Sequence, residues 1–221
     1  MENYIRKFYR RSLRLRGYDY SQAGAYFITI CTNKRKCLFG NVLNNDVNIN
    51  DLGNIVFYFW HSLPSKYSQI ELDQFVIMPN HLHGIVVIND VEAIHELPLQ
   101  KVHNGEIHES INAGTIHESI NIETIHKLSL RERRNMLLPK AVGYFKMNSA
   151  KAINQKLSFS GQSLWQRNYY EHIIRNEAEL DRIRQYIWNN PVKWQLDCDN
   201  PNGKPDNEEI EFWQDFGRKD L

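Results

Sequence analysis

The side chains in this sequence best placed to do chemistry are two histidines one residue apart, His81 and His83. They open the run HLHGIVVI, which alternates and β-branches like a strand. Alternate residues of a strand share a face, so the two imidazoles project together and can hold one divalent ion. The pair alone reads equally well as two ordinary histidines on a half-exposed strand. A second pair, Tyr186 and Asn190, is four residues apart in RIRQYIWNN, which places both on one helical face. That face lies at the shoulder of the apolar stripe Leu180, Ile183 and Ile187 and can point toward a sheet. The plain alternative is a packing tyrosine and a helix-end asparagine before Pro191.

The elements that would position these residues follow from periodicity and punctuation. AYFITICT over 25–32 is a strand, and a turn-rich stretch follows over 33–50. Asp51 is placed to cap a helix carrying Leu52, Ile55, Val56, Phe59 and Leu63, which Pro64 ends. Strands over 72–78 and 81–88 flank the turn Pro79-Asn80. A second helix runs from Pro139 to about Lys156, and 164–175 reads as a fourth strand with a bulge. Asn176 caps a last helix, with Glu179 as its capping-box partner, and Pro191 stops it. The order strand–helix–strand–strand–helix–strand predicts an α+β fold, a ferredoxin-like split βαβ with an antiparallel sheet, plus a C-terminal helix bearing the candidate nucleophile.

Three regions lie outside that core. Residues 1–20 form a basic arm with Arg6, Arg10, Arg11, Arg14 and Arg16. Between about 90 and 130, IHESIN occurs twice and Ile-His recurs every nine residues, which marks a repetitive insertion. Its histidines, His95, His103, His108, His117 and His126, are better explained by duplication than by coordination. Residues 197–221 form an acidic tail without periodicity, expected to be disordered, so that 21–196 is the catalytic domain. The basic arm and acidic tail nearly cancel, and the formal net charge of +1 therefore says little about partners. Three cysteines without paired spacing argue against a disulfide framework and fit a reducing cytoplasm. No apolar run approaches a membrane span, and no signal-peptide core is present.

PNHLHGIV after a strand, WQRNYYEHIIR before a helix, and then RIRQYIWNNPVKW resemble the REP-associated tyrosine transposases, a branch of the single-tyrosine HUH transposases. The likeness spans about Leu13 to Gln195 and includes the lead-in RRSLRLRGYDYSQAGAYFITICT. It implies a ferredoxin-like core with His81 and His83 as metal ligands, Asn190 as the third protein ligand and Tyr186 as the nucleophile. Many insertion-sequence relatives carry glutamine where this chain has Asn190, and the REP-associated branch tends to carry asparagine. The resemblance implies magnesium or manganese, a single-stranded or hairpin DNA substrate, and a 5′-phosphotyrosine link that leaves a free 3′-hydroxyl. It also favours a monomer, although insertion-sequence relatives share their sites between two subunits.

Other residues compete for these roles. Tyr169 and Tyr170 would point to opposite faces of their strand, and neither has a ligand-type partner at helical spacing. His172 reads as a strand residue and His61 as structural. The arginines of the arm can neutralise phosphates, with Tyr4, Tyr9, Tyr18 and Tyr20 as stacking candidates. Trp165, Gln166 and Arg167 are a second candidate DNA contact, with Trp165 equally suited to a core. Two other readings stay open: a hairpin-binding regulator that does not cut, and an H-x-H metallohydrolase that uses water instead of Tyr186.

Overall fold

The computed structural model describes residues 18–90, 136–158, 161 and 163–217. The arginines of the arm, Tyr4 and Tyr9, and the histidines of the repeat lie outside the described residues. In chain order the elements are β1 (Gly24–Cys31), β2 (Gly40–Leu43), β3 (Asp46–Ile49), α1 (Asp51–His61), α2 (Leu63–Lys66), β4 (Ile70–Ile77), β5 (His81–Ile88), α3 (Leu137–Lys156), β6 (Tyr170–Ile174), α4 (Glu177–Asn189) and α5 (Asn207–Asp215).

The main sheet runs β4–β5–β1–β6, and every neighbouring pair is antiparallel. With the small β2–β3 hairpin set aside, this is the strand order of the split βαβ plan. The expected α+β, ferredoxin-like class is the one observed. β1 sits in the centre, where its residues meet packing on both sides. That explains why AYFITIC reads as an almost unbroken apolar run rather than a strict alternation.

One face of the sheet carries Tyr26, Ile28, Ile30, Leu82 and Val86 beneath α1 and α3, with Trp60 and Phe145 wedged between. The opposite face carries Phe27, Ile85 and Tyr170 beneath α4 and α5, with Ile183, Ile187, Phe212 and Trp213 filling the layer. Gly84 lets the first layer close, because a Cβ there would lie 2.5 Å from Trp60 Cζ2. Gly84→Ala is therefore expected to cost about 1–3 kcal/mol by overpacking. A thermal melt with no shift would contradict that account.

The structure departs from the sequence-based expectations in several places. Pro64 lies in the first turn of α2 instead of ending α1, which stops at His61. The turn-rich stretch contains the β2–β3 hairpin, closed by Asn44 and Asn45 in the left-handed region at φ 53° and 66°. Asparagine tolerates that conformation, and a two-residue loop of this hand suits the twist of a hairpin. The cap of α1 is Asn50, not Asp51, and its side chain accepts from the N–H groups of Leu52 and Gly53. The segment expected to be disordered contains α5, whose Phe212 and Trp213 are buried in the second layer. Its charged residues mask an amphipathic helix capped by Asp206, whose side chain accepts from Glu209 N–H.

Candidate active site

β5 begins at His81, and the register sets Cys31 opposite His81 and Thr29 opposite His83. Both imidazoles fall on the sheet face beneath α4 and are fully buried, with ring centroids 4.4 Å apart. Each ring is anchored through Nδ1. Thr29 Oγ1 lies 2.8 Å from His83 Nδ1, and Asn80 Oδ1 lies 2.8 Å from His81 Nδ1. Asn80 Nδ2 donates to the carbonyls of Arg35 and Asp199 at 3.1 and 2.7 Å. Both of its N–H groups are thereby used, so Oδ1 must accept, and the proton of His81 sits on Nδ1. His81 Nε2 then presents a lone pair, the form a metal ligand requires.

α4 brings Tyr186 over this site. Tyr186 is half-buried, with its ring centroid 5.4 Å from that of His83. The same ring stacks on Phe212 of α5 at 3.8 Å and 9°. Its hydroxyl donates to Glu209 Oε1 at 3.0 Å. Trp213 Nε1 and Cys198 N–H donate to the same oxygen at 2.8 and 3.3 Å. Burial, joined by the charges of Asp197 and Glu209, holds the Tyr186 phenol well above its ordinary range, so it is protonated at neutral pH. Burial also raises the Glu209 carboxyl, with the neighbouring Asp197 adding to the effect. A cleft reaches Tyr186 between Arg182, Gln185, Asn189 and Lys193 of α4 and its C-terminal turn and Glu208 of α5.

Asn190, one turn beyond Tyr186, is buried, and its Oδ1 has no hydrogen-bond partner among the described residues. A buried amide oxygen left this way costs free energy unless something outside the chain engages it. Asp197 follows the helix and is also buried, with Oδ2 3.5 Å from His81 Nε2. Ligand atoms of His81, His83 and Asp197 all lie within 4.8 Å of one another.

The family model described as "Transposase IS200 like" matches residues 106–190, the stretch that holds Tyr186 and Asn190. An uncharacterised protein of Haemophilus influenzae (strain Rd) is 38% identical over 190 residues, covering 86% of this chain and 92% of that protein. Residues 106–190 are thus similar to the IS200-like transposase family. Among solved structures, a REP-associated tyrosine transposase bound to a REP hairpin is 16% identical, over 84% of this chain and 73% of that one, with a TM-score of 0.42. A candidate transposase of Deinococcus radiodurans R1 is 15% identical, over 80% of this chain and 95% of that one, with a TM-score of 0.37. No helix among the described residues is long and apolar enough to cross a membrane.

The other residues singled out by the sequence divide by layer. Trp165 is not a surface contact. It is buried against Phe39 and Phe145, and its indole N–H donates to Ser149 Oγ at 3.0 Å. Arg167 is exposed and can meet solvent or a ligand. Tyr18 and Tyr20 pack around Tyr26 rather than presenting open faces. Tyr169 and Tyr170 join opposite layers, and the Tyr170 hydroxyl donates to the carbonyl of Phe216 at 2.6 Å. His172 bonds Glu179 at 2.8 Å, and His61 stacks on Phe57. Asp197 and Glu209 escape a reading of the sequence because acidic side chains around them obscure the pattern. The spacing of Ile210, Trp213 and Phe216, with Asp206 three residues before Glu209, is the signal that could have found α5.

An ion pair also ties α4 to β4. Arg184 Nε and Nη2 donate to the two oxygens of Asp73 at 3.0 and 2.7 Å, at the register shift of β4. The hydrogen bonds from Arg184 hold the Asp73 carboxyl below its usual range, against some desolvation. A depressed carboxylate stabilises the fold above its unfolded pKa and loses that contribution as pH falls through the folded value. Arg184→Met is therefore expected to cost on the order of 1 kcal/mol at neutral pH, as the pair is partly exposed. Denaturation curves of the two proteins should converge as pH falls below the carboxylate range. A pH-independent gap would assign the loss to packing instead.

Proposed function

We propose that this chain cuts and rejoins single-stranded DNA at hairpin sequences of the repetitive extragenic palindrome type. Tyr186 is the nucleophile, and His81, His83 and Asn190 hold a magnesium or manganese ion. The observation that carries this reading is the packing of Tyr186 against His83, from a helix of the same chain. The donor set suits such an ion. His81 is held in the tautomer that offers Nε2, and Asn190 supplies a buried amide oxygen with no partner among the described residues. When bound, the ion would polarise a phosphoryl oxygen and offset the charge of the phosphodiester.

The chain's own residues do the rest. The phenolic oxygen of Tyr186 forms a bond to phosphorus as the bond from phosphorus to the 3′ oxygen breaks. The phenol gives up its proton, and the departing strand ends in a 3′-hydroxyl. A later 3′-hydroxyl attacks the phosphotyrosine, restores the phenol and rejoins the strand. Arg182 and Lys193 line the cleft to Tyr186 and can meet phosphates there. Exposed Arg167 and the arginines Arg6, Arg10, Arg11, Arg14 and Arg16 are assigned to more distant phosphates. The histidines and the tyrosine come from one chain, which supports a monomer.

The test is incubation of the full chain with labelled single-stranded hairpin DNA and manganese, followed by denaturing electrophoresis. A protein–DNA adduct and a free 3′-hydroxyl are expected. Tight hairpin binding without cutting under either metal would instead make the protein a regulator, and cutting without an adduct would make it a water-using hydrolase.

A further inference from the structure

We propose that Asp197 is a direct ligand of the same divalent ion, so that the ion ties the sheet to the C-terminal segment. This rests on the metal-site reading of His81 and His83 given above. Asp197 lies seven residues past Asn190, after the end of the helix that carries the nucleophile. Its carboxylate is oriented: Asp199 N–H donates to Oδ1 at 2.5 Å, and Oδ2 faces His81 Nε2 at 3.5 Å. That separation is too long for a strong hydrogen bond. It is close to the separation of two donors of one ion, because ligands about 2.1 Å from a metal and 90–109° apart lie roughly 3.0–3.4 Å from each other. Asp199 is held in turn by Arg35 at 2.8 Å, and its carbonyl accepts from Asn80, the residue that fixes the His81 ring. One hydrogen-bonded chain therefore sets both the histidine and the carboxylate, as outer partners of metal ligands do.

Added to His81, His83 and Asn190, a carboxylate would make the donor set harder than histidine alone and better matched to manganese or magnesium. The carboxylate also lowers the net charge of the loaded site by one. Because Asp197 precedes α5, filling the site would fasten the segment that bears Glu209 and Trp213.

The experiment titrates metal-free, full-length protein with Mn2+ and follows free Mn2+ by its electron paramagnetic resonance signal. Wild type is expected to bind. His83→Ala is expected to abolish binding, and Asp197→Asn to weaken it at least about 10-fold, the lower bound for disturbing even an outer partner. Circular dichroism and a melt without metal report whether the variants fold. Unchanged affinity in Asp197→Asn alongside loss in His83→Ala overturns the assignment of Asp197 and leaves the histidine site standing. A wild type that binds no Mn2+ overturns both. Should Asp197→Asn fail to fold, a wild-type crystal soaked in Mn2+ decides. An anomalous peak within coordination distance of Asp197 Oδ2 supports the assignment, and a peak on the histidines with Asp197 outside that distance overturns it.

Discussion

Tyr186→Phe is expected to leave a folded protein that forms no denaturation-resistant adduct with hairpin DNA in manganese. The substitution removes one oxygen and little else. The ring keeps its stack on Phe212 and its contact with His83, neither of which involves the hydroxyl. Glu209 Oε1 keeps the donors Trp213 and Cys198. The stability loss should be that of one hydrogen bond, about 1 kcal/mol. The chemical loss should be complete, because no other tyrosine of the described residues is placed to substitute. Tyr170 shares the sheet face, but its hydroxyl is engaged by the carbonyl of Phe216, and Tyr169 lies in the opposite layer. Gel analysis and a melt on the same preparation separate the two effects. An adduct in the Tyr186→Phe protein would sink the assignment of the nucleophile, and peptide mapping would then find the tyrosine that took its place.

Trp213→Ala should have the largest effect on stability, about 3–5 kcal/mol. That is a large share of the roughly 5–15 kcal/mol that holds a typical domain folded. The indole is fully buried at the middle of the second layer. It stacks on Phe27 at 5.9 Å, meets Tyr170 edge-on at 5.1 Å and lies 5.8 Å from His83. Its N–H also donates to buried Glu209, so the variant loses a charge-assisted hydrogen bond along with the packing. Urea denaturation measures the change. A cost below about 1 kcal/mol would mean that α5 rests on the sheet without being part of its core, as a loosely attached tail would.

The sheet is readable in the sequence because its residues announce their environment. β-Branched and aromatic runs mark β1 and β5, and Asn176 with Glu179 marks the start of α4, where Asn176 Oδ1 accepts Glu179 N–H as expected. The Glu179 carboxylate reaches back one residue further than a capping box requires, to Arg175 N–H. His81, His83 and Tyr186 are readable because each sits in a regular element whose period fixes its face. Asp197 is not, since it lies in an irregular connection, where sequence spacing carries no direction. Trp165 misleads for the opposite reason. An aromatic beside an arginine suggests a nucleic-acid surface, yet its neighbours Phe39 and Phe145 come from distant parts of the chain. Only the fold could bring them together.

The direction of β5 has a consequence for how this sequence can vary. The strand starts at the histidines and leaves the sheet after Ile88, roughly 17 Å from His83 at strand rise. The chain returns at that same end, where Leu137 N–H donates to Ser21 Oγ and Leu138 N–H to the carbonyl of Tyr20. The described chain thus breaks off after residue 90 and resumes at 136 near one pole of the sheet, while His81 and His83 sit at the other. Changes in length between residues 90 and 136 are therefore introduced at the end of the sheet away from His81 and His83. The same pole is the natural place to graft a reporter or an affinity handle without disturbing the site.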